Sequence, residues 1–408
     1  MASNVTHSRT PDFVSWEVRL ERLLTAYILA GLLFLLLPGT TLGFWNLFSI
    51  SATHSSESIS PAWLQAHGHA QIFGWIGTFI LGIGFYSLSK MGNLPRFEIS
   101  RGWACFALWS VGVAVRWAAN ITAWHWRVAL PVSAVLELTA LLIFFRIVSR
   151  HRPHSAAGTP PRAEQPWMRM VVGSAVGFLA SLIANLGVVA YLAATGKGPA
   201  IPVALDQRLL VLPTWGFLVP AVWGFNARWL PIFVGLKAPG ARRLYAALSC
   251  AWAAVIAMLA GGAMLSAYLL LAAALLSISA LRVFEPALQP AKVNGVHVSF
   301  PVFVRGAYVW LLVAAALSAA AVPADRSGGF WGASRHALTV GFLSTMVFSI
   351  GQRILPAFCG ACVLLSKNLM FASLALLNLG CILRVASEIP AYEGYLRQAW
   401  AILPVSVT

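Results

Sequence analysis

Three histidines stand where long apolar stretches begin. His67 and His69 open Ala66-His67-Gly68-His69-Ala70-Gln71-Ile72-Phe73-Gly74-Trp75-Ile76-Gly77-Thr78, and His336 opens a second stretch built the same way. The shared pattern is His69-Ala70-x-x-x-Gly74-Trp75-x-x-Thr78 against His336-Ala337-x-x-x-Gly341-Phe342-x-x-Thr345, followed by Ile83-Gly84 and Ile350-Gly351. A neutral imidazole is a strong ligand for iron or copper, and two imidazoles on facing helices suit a haem held between them. A lone histidine of this kind more often bonds water or a carbonyl; its repetition with the same neighbours favours the ligand reading. His67 and His69 project about 200° apart on a helix, so one site takes one of them, and the residues alone do not choose. Small residues recur every fourth position, Ala70, Gly74, Thr78, Gly82 and Ala337, Gly341, Thr345, Ser349. Such a stripe admits either a second helix or a flat cofactor at close range.

Other polar groups fall inside apolar segments. Arg116 and Glu137 occupy successive segments and are expected to pair, or Arg116 to meet a propionate. Asn120, Asn185, Asn226 and Arg384 read as packing polar groups, and His125 as a reserve ligand. A second repeat, Arg228-x-Leu230-Pro231-x-Phe233 against Arg353-x-Leu355-Pro356-x-Phe358, sets an arginine near a carbonyl that proline frees. Cys359-Gly-Ala-Cys362 is a lone C-x-x-C, a weak metal or redox signal. The chain has no phosphate-binding loop, dinucleotide fingerprint, H-E-x-x-H or C-x-x-C-H, so any haem is held without covalent attachment. No residue is assigned a catalytic role.

The elements that must position these groups are membrane helices. Hydrophobic residues make up 59% of the chain, charged residues 10%, and mean hydropathy is +0.78, values outside the range of a soluble domain. The net charge of +16 follows from Lys and Arg gathered in loops and is not accompanied by any nucleic-acid-binding pattern. Apolar lengths give an all-α, polytopic bundle of about twelve spans, each needing ~20 residues. Residues 1–23 form a cytoplasmic N-terminal segment, and 24–408 a single transmembrane domain. Within that domain, sub-bundles at about 24–149 and 168–408 are joined by the Pro-, His- and Arg-rich linker 150–167. The last stretch, Leu396 to Thr408, is too short to cross; it reads as a truncated twelfth span, or else as a re-entrant end. Loop charge puts the N-terminus in the cytoplasm and the three histidines at outer helix ends, where they can share one site.

The same residues carry a resemblance. His67-Gly-His69-x-x-Ile-Phe-Gly74-Trp75 resembles the H-x-H-x-x-x-F-G-[FW] opening of the NnrS family. Arg335-His336-Ala337-Leu338-Thr339-Val340-Gly341-Phe342, with Thr345-Met346 and Arg353, is similar to that family's R-H-A-L-T-x-G-F…T-M…R signature. Asn226-Ala227-Arg228-Trp229-Leu230-Pro231-Ile232-Phe233 resembles its G-R-x-I-P-x-F segment, with Ala227 in place of glycine. The chain departs from the family at Tyr86-Ser-Leu-Ser-Lys90 and at Leu355-Pro356-Ala357-Phe358. There is also a more distant likeness to haem–copper oxidase subunit I, in which Ala66-His67-Gly68…Ile72-Phe73 and His336 match the two helices holding the low-spin haem. This likeness selects His67, whereas the internal repeat selects His69.

The resemblance implies a bacterial inner-membrane protein of nitric oxide and nitrosative stress response. Its cofactor would be haem b near the periplasmic face, with copper as a further metal. Its partners would be the lipid membrane, nitric oxide and a quinone or other electron donor. The implied cofactor-binding residues are His67, His69, His336, Arg335, Arg116, Gly74 and Gly341, with the three histidines as metal ligands. Two rival classes stand beside it. A terminal oxidase or nitric oxide reductase is disfavoured because span six lacks H-x-x-x-Y and no later span has a His-His pair. A cofactor-free transporter would use the repeated helices and intramembrane polar groups directly.

Overall fold

A computed structural model describes residues 11–90, 96–149, 165–358 and 364–407. The chain is an all-helical polytopic bundle with eleven helices long and apolar enough to cross a membrane. These are α1 (Ser15–Thr53), α2 (Pro61–Ser87), α3 (Ile99–Thr122), α4 (Trp126–Ser149), α5 (Pro166–Thr195), α6 (Val203–Phe233), α7 (Ala241–Leu259), α8 (Ala263–Leu281), α9 (Phe300–Ala324), α10 (Gly329–Pro356) and α11 (Lys367–Tyr392). Among the described residues eleven such helices stand against the expected twelve or so. The terminal segment forms a seven-residue helix, α12 (Ala399–Val405), which doubles back along α11 until Ser406 lies beside Gly380. That is the re-entrant alternative. Trp400 anchors it, stacking on His54 with ring centroids 5.8 Å apart and accepting a 2.7 Å hydrogen bond from Ser51 Oγ at its carbonyl.

The first helix also starts earlier than its apolar run. Trp16, Leu20 and Leu23 are buried in the main core, so much of the stretch assigned to a cytoplasmic tail is helix packed on α3 and its approach. At 39 residues α1 is about 58 Å long, well beyond the ~30 Å of a hydrocarbon core. One continuous core runs from Trp16 to Met370, crossing from α4 to α5 without a break, and two small satellite cores sit at one end. The expected linker 150–167 lies almost wholly outside the described residues, as does the Cys359–Cys362 pair.

Two helices form the interior. In α2 and α6, 72% of the apolar stretch is buried inside the bundle, against 22–50% in the other spans. Both carry a wide π-helical segment, Ala70–Gly77 in α2 and Leu212–Leu218 in α6, and further ones lie at Leu35–Thr41 in α1 and Ala337–Ser344 in α10. A π turn leaves carbonyls short of their usual partners, and lipid supplies none, so hydroxyls take over. Thr78 Oγ1 donates to the Gly74 carbonyl at 2.5 Å, and Ser344 Oγ to the Thr339 carbonyl at 2.8 Å. The sequence repeat thus encodes a shared backbone form. In both copies the histidine immediately precedes the π segment and a threonine immediately follows it.

Candidate functional site

The histidines gather at the end of the bundle where α2 begins. Gln65, two residues ahead of His67, exchanges two hydrogen bonds with the backbone of Ile201 just before α6 (2.7 and 2.9 Å). Trp63 Nε1 reaches the carbonyl of Ile121 at the end of α3. The starts of α2 and α6 and the end of α3 therefore share this face. Trp75 of α2 and Phe348 of α10, with ring centroids 5.4 Å apart, hold the two repeated helices together below it.

Each histidine has a distinct set of partners. His67 is partly buried, and its Nδ1 bonds the carbonyl of Gly39 at 2.9 Å. The ring can lie there because α1 offers glycines: a Cβ on Gly43 would stand 2.6 Å from His67 Cε1. His336 is also partly buried; its Nδ1 meets the Gly332 carbonyl at 2.8 Å and Glu388 Oε2 at 2.9 Å. A carbonyl can only accept, so in both residues Nδ1 carries a proton, and in the neutral ring Nε2 is the nitrogen left with a lone pair. No hydrogen bond engages Nε2 of either ring among the described residues. This is the posture of a ligating histidine, with the far nitrogen fixed by a carbonyl or carboxylate.

His69 is different. It is 8% exposed, and its Nε2 bonds Oε1 of the fully buried Glu137 at 2.8 Å. The repeat places His69 and His336 in the same backbone setting, yet they present opposite nitrogens to their carboxylates. Arg116 and Glu137 lie within electrostatic reach of each other but share no hydrogen bond. The carboxylate goes to His69 because α2 runs through the interior and brings the imidazole to α4, whereas Arg116, on α3, keeps Nε and Nη1 without a hydrogen bond.

Charges surround the group. Arg384 Nη2 bonds Glu388 Oε1 at 3.1 Å, one turn along α11, and His67 lies within electrostatic reach of both His336 and Arg384. Asp206 of α6 lies within reach of Arg116 and Arg335, and Arg335 within reach of Glu388. Arg384 is 7% exposed and its Nε and Nη1 have no hydrogen bond. Glu388 and Asp206 are the residues that sequence reading missed. Arg384-x-x-x-Glu388, an i,i+4 pair of opposite charges in an apolar span, was the available signal for the first.

Two expected cofactor contacts are occupied by protein. A Cβ on Gly341 would stand 2.5 Å from the Trp310 ring, and one on Gly74 would stand 3.0 Å from both Phe34 and Val113. The small-residue stripe is a helix-packing surface, the first of its two readings, because α9 and α1 with α3 fill it. His125 is exposed, with a left-handed backbone beside Trp124. The R-x-L-P-x-F repeats interlock at the far end of the bundle: Arg353 lies over the Phe233 ring at 5.2 Å and donates to the Asn294 carbonyl. The first contact joins the ends of α6 and α10, and the second ties α10 to the loop between α8 and α9.

Among the described residues no three His, Cys, Asp or Glu side chains group as a metal site. A haem asks less of the protein than a free ion, since the macrocycle supplies four donors and only the axial positions remain. Two imidazoles with bare Nε2 atoms, and buried guanidinium N–H groups without acceptors, fit that demand.

A family model described as a domain of unknown function (DUF8744) matches residues 233–407. The match spans α7 to α12 and includes Arg335, His336, Arg384 and Glu388, while His67, His69 and Glu137 lie outside it. No curated protein matches the chain.

Proposed function

We propose that the chain is a haem b-binding membrane protein of the NnrS type, acting in the response to nitric oxide, in which His67 and His336 would hold the haem iron. The observation that carries the reading is the pair of imidazoles whose Nδ1 atoms are tied to backbone carbonyls and whose Nε2 atoms are bare. When bound, the haem would supply reversible one-electron chemistry and an iron with affinity for nitric oxide.

The chain's own residues have defined parts in this reading. Gly39 and the Gly332–Glu388 pair fix the two ring orientations and keep each imidazole in the ligating tautomer. Arg116 and Arg384 offer unpartnered N–H groups to the two carboxylates of the macrocycle, and Arg335 adds a third cation in the same electrostatic neighbourhood. His69 gives its Nε2 to Glu137, which supports His67 as the one of the two neighbouring histidines with an open Nε2. The likeness to haem–copper oxidase subunit I makes the same choice. The likenesses further suggest a bacterial inner membrane with the histidine end outward, and a quinone or similar electron donor. Copper is left out, because the described residues offer it no donor set.

The absorption spectrum of the purified protein tests the proposal. A Soret band with low-spin features that vanishes or turns high-spin in His336→Ala supports it. Homogeneous, folded protein that lacks a Soret band and does not acquire one with added haem sinks it. That result favours a cofactor-free transporter, for which the buried charges on α3, α4, α6 and α11 would be the working parts.

A further inference from the structure

At the opposite end of the bundle, α7 begins and α8 ends around a recess of about 310 Å³ lined by Gly240, Ala241, Arg242, Arg243, Ser279 and Arg282. Its floor is tied by a 2.8 Å hydrogen bond from Gly240 N to the Ala280 carbonyl. Arg243 Nη1 donates to Ser279 Oγ at 2.8 Å, which holds one guanidinium across the wall. Arg282 is paired with Glu285 at 3.2 Å, and Lys237 reaches the same carboxylate at 3.6 Å. Four cations are thus set against one carboxylate, and no hydrogen bond or ion pair engages Arg242 among the described residues. The excess of positive charge is concentrated in a concave space large enough for a phosphate group.

The recess does not open onto water alone. Tyr268, Leu275 and Ser279 share one stripe of α8, spaced seven and four residues apart, and Arg282 follows just past its end. Tyr268 and Leu275 are 56% and 53% exposed on a helix of membrane-spanning length. An apolar strip therefore runs from the lipid-facing surface up to the arginines, in the order in which a phospholipid presents acyl chain and then phosphate. A free phosphate ion would use the arginines but not the strip.

We propose that this recess binds the phosphate of an anionic phospholipid, with its acyl chain laid along the exposed α8 stripe. Arg242 and Arg243 supply the charge, and Ser279 a hydroxyl beside them. The site is independent of the histidine cluster and does not rest on the haem reading.

Native mass spectrometry of the full chain in detergent, titrated with phosphatidylglycerol and with phosphatidylcholine of the same acyl length, tests it. Phosphatidylglycerol should bind in preference. Arg242→Gln, which breaks no contact within the fold, should weaken that binding about fivefold, the share of one interfacial cation. Leu275→Ser should weaken it as well, by removing the chain's seat. Equal binding of the two lipids would overturn the proposal. So would an equal loss in Arg146→Gln, a basic residue outside the recess, or displacement of the lipid by millimolar inorganic phosphate.

Discussion

His69 and Glu137 meet at 2.8 Å through Nε2 and Oε1, both buried, across the contact of α2 with α4. Neither side chain has water to fall back on, so each depends on the other. Removing the carboxylate in Glu137→Ala leaves a buried imidazole unpaired and should destabilise the protein by about 3–5 kcal/mol, the range for breaking a buried pair from one side. Glu137→Gln keeps a polar partner and should lose much less. Thermal unfolding in detergent compares the two, and equal effects would show that the pair is a bystander.

The ligand assignment separates three substitutions. His67→Ala and His336→Ala should each lose most of the haem or leave it high-spin, while His69→Ala should keep a low-spin spectrum at reduced stability. Haem content per protein and the visible spectrum decide. A His69→Ala variant that behaves like His336→Ala, with His67→Ala unchanged, would transfer the ligand role to His69.

Glu388 is the carboxylate behind His336 and is also bonded to Arg384. In Glu388→Ala the imidazole retains only the Gly332 carbonyl, and haem affinity should fall about 10–100-fold, as for the loss of a partner behind a metal ligand. Glu388→Gln should fall at the lower end of that range. Haem dissociation measured by transfer to an acceptor protein gives the number, and an unchanged rate in both variants would remove Glu388 from the site.

Glycine substitutions distinguish packing from a cofactor cradle. A Cβ on Gly341 meets Trp310 at 2.5 Å, so Gly341→Ala should destabilise the bundle by about 1–3 kcal/mol, and Gly74→Ala by less because its neighbours stand at 3.0 Å. The loss should appear as a lower unfolding temperature in protein with or without haem. Loss of haem with no change in stability would restore the cradle reading.

The alternation of helices sets which loops share a side, and loop charge predicts which of the two sides faces outward. Ser56 and Ser327 lie at the histidine end, whereas the loop carrying Lys292 bonds the end of α6 through its backbone, Lys292 N to the Phe233 carbonyl at 2.9 Å. Cysteines at Ser56 and Ser327 should react with an impermeant maleimide added outside intact cells, and one at Lys292 only after permeabilisation. The reverse pattern would put the histidines on the cytoplasmic side.

Much of this was legible in the residues. Apolar length and composition determined a polytopic helical membrane protein, because in lipid every backbone group must be bonded within its own helix. The His-Ala-x-x-x-Gly repeat marked two related helices, and in both copies the threonine that follows the π segment reaches the carbonyl five residues back, Thr78 to Phe73 and Thr345 to Val340. The terminal helix was ambiguous, since seven helical residues can neither span a bilayer nor show, without α1 and α11, what they fold onto. What only the tertiary structure decided is which nitrogen of which histidine is bare. Sequence spacing places His67 and His69 on one helix, but the Gly39 carbonyl, Glu137 and Glu388 arrive from α1, α4 and α11. A hydrogen bond between such distant positions is set by how whole helices pack, and helix packing is written in no local pattern.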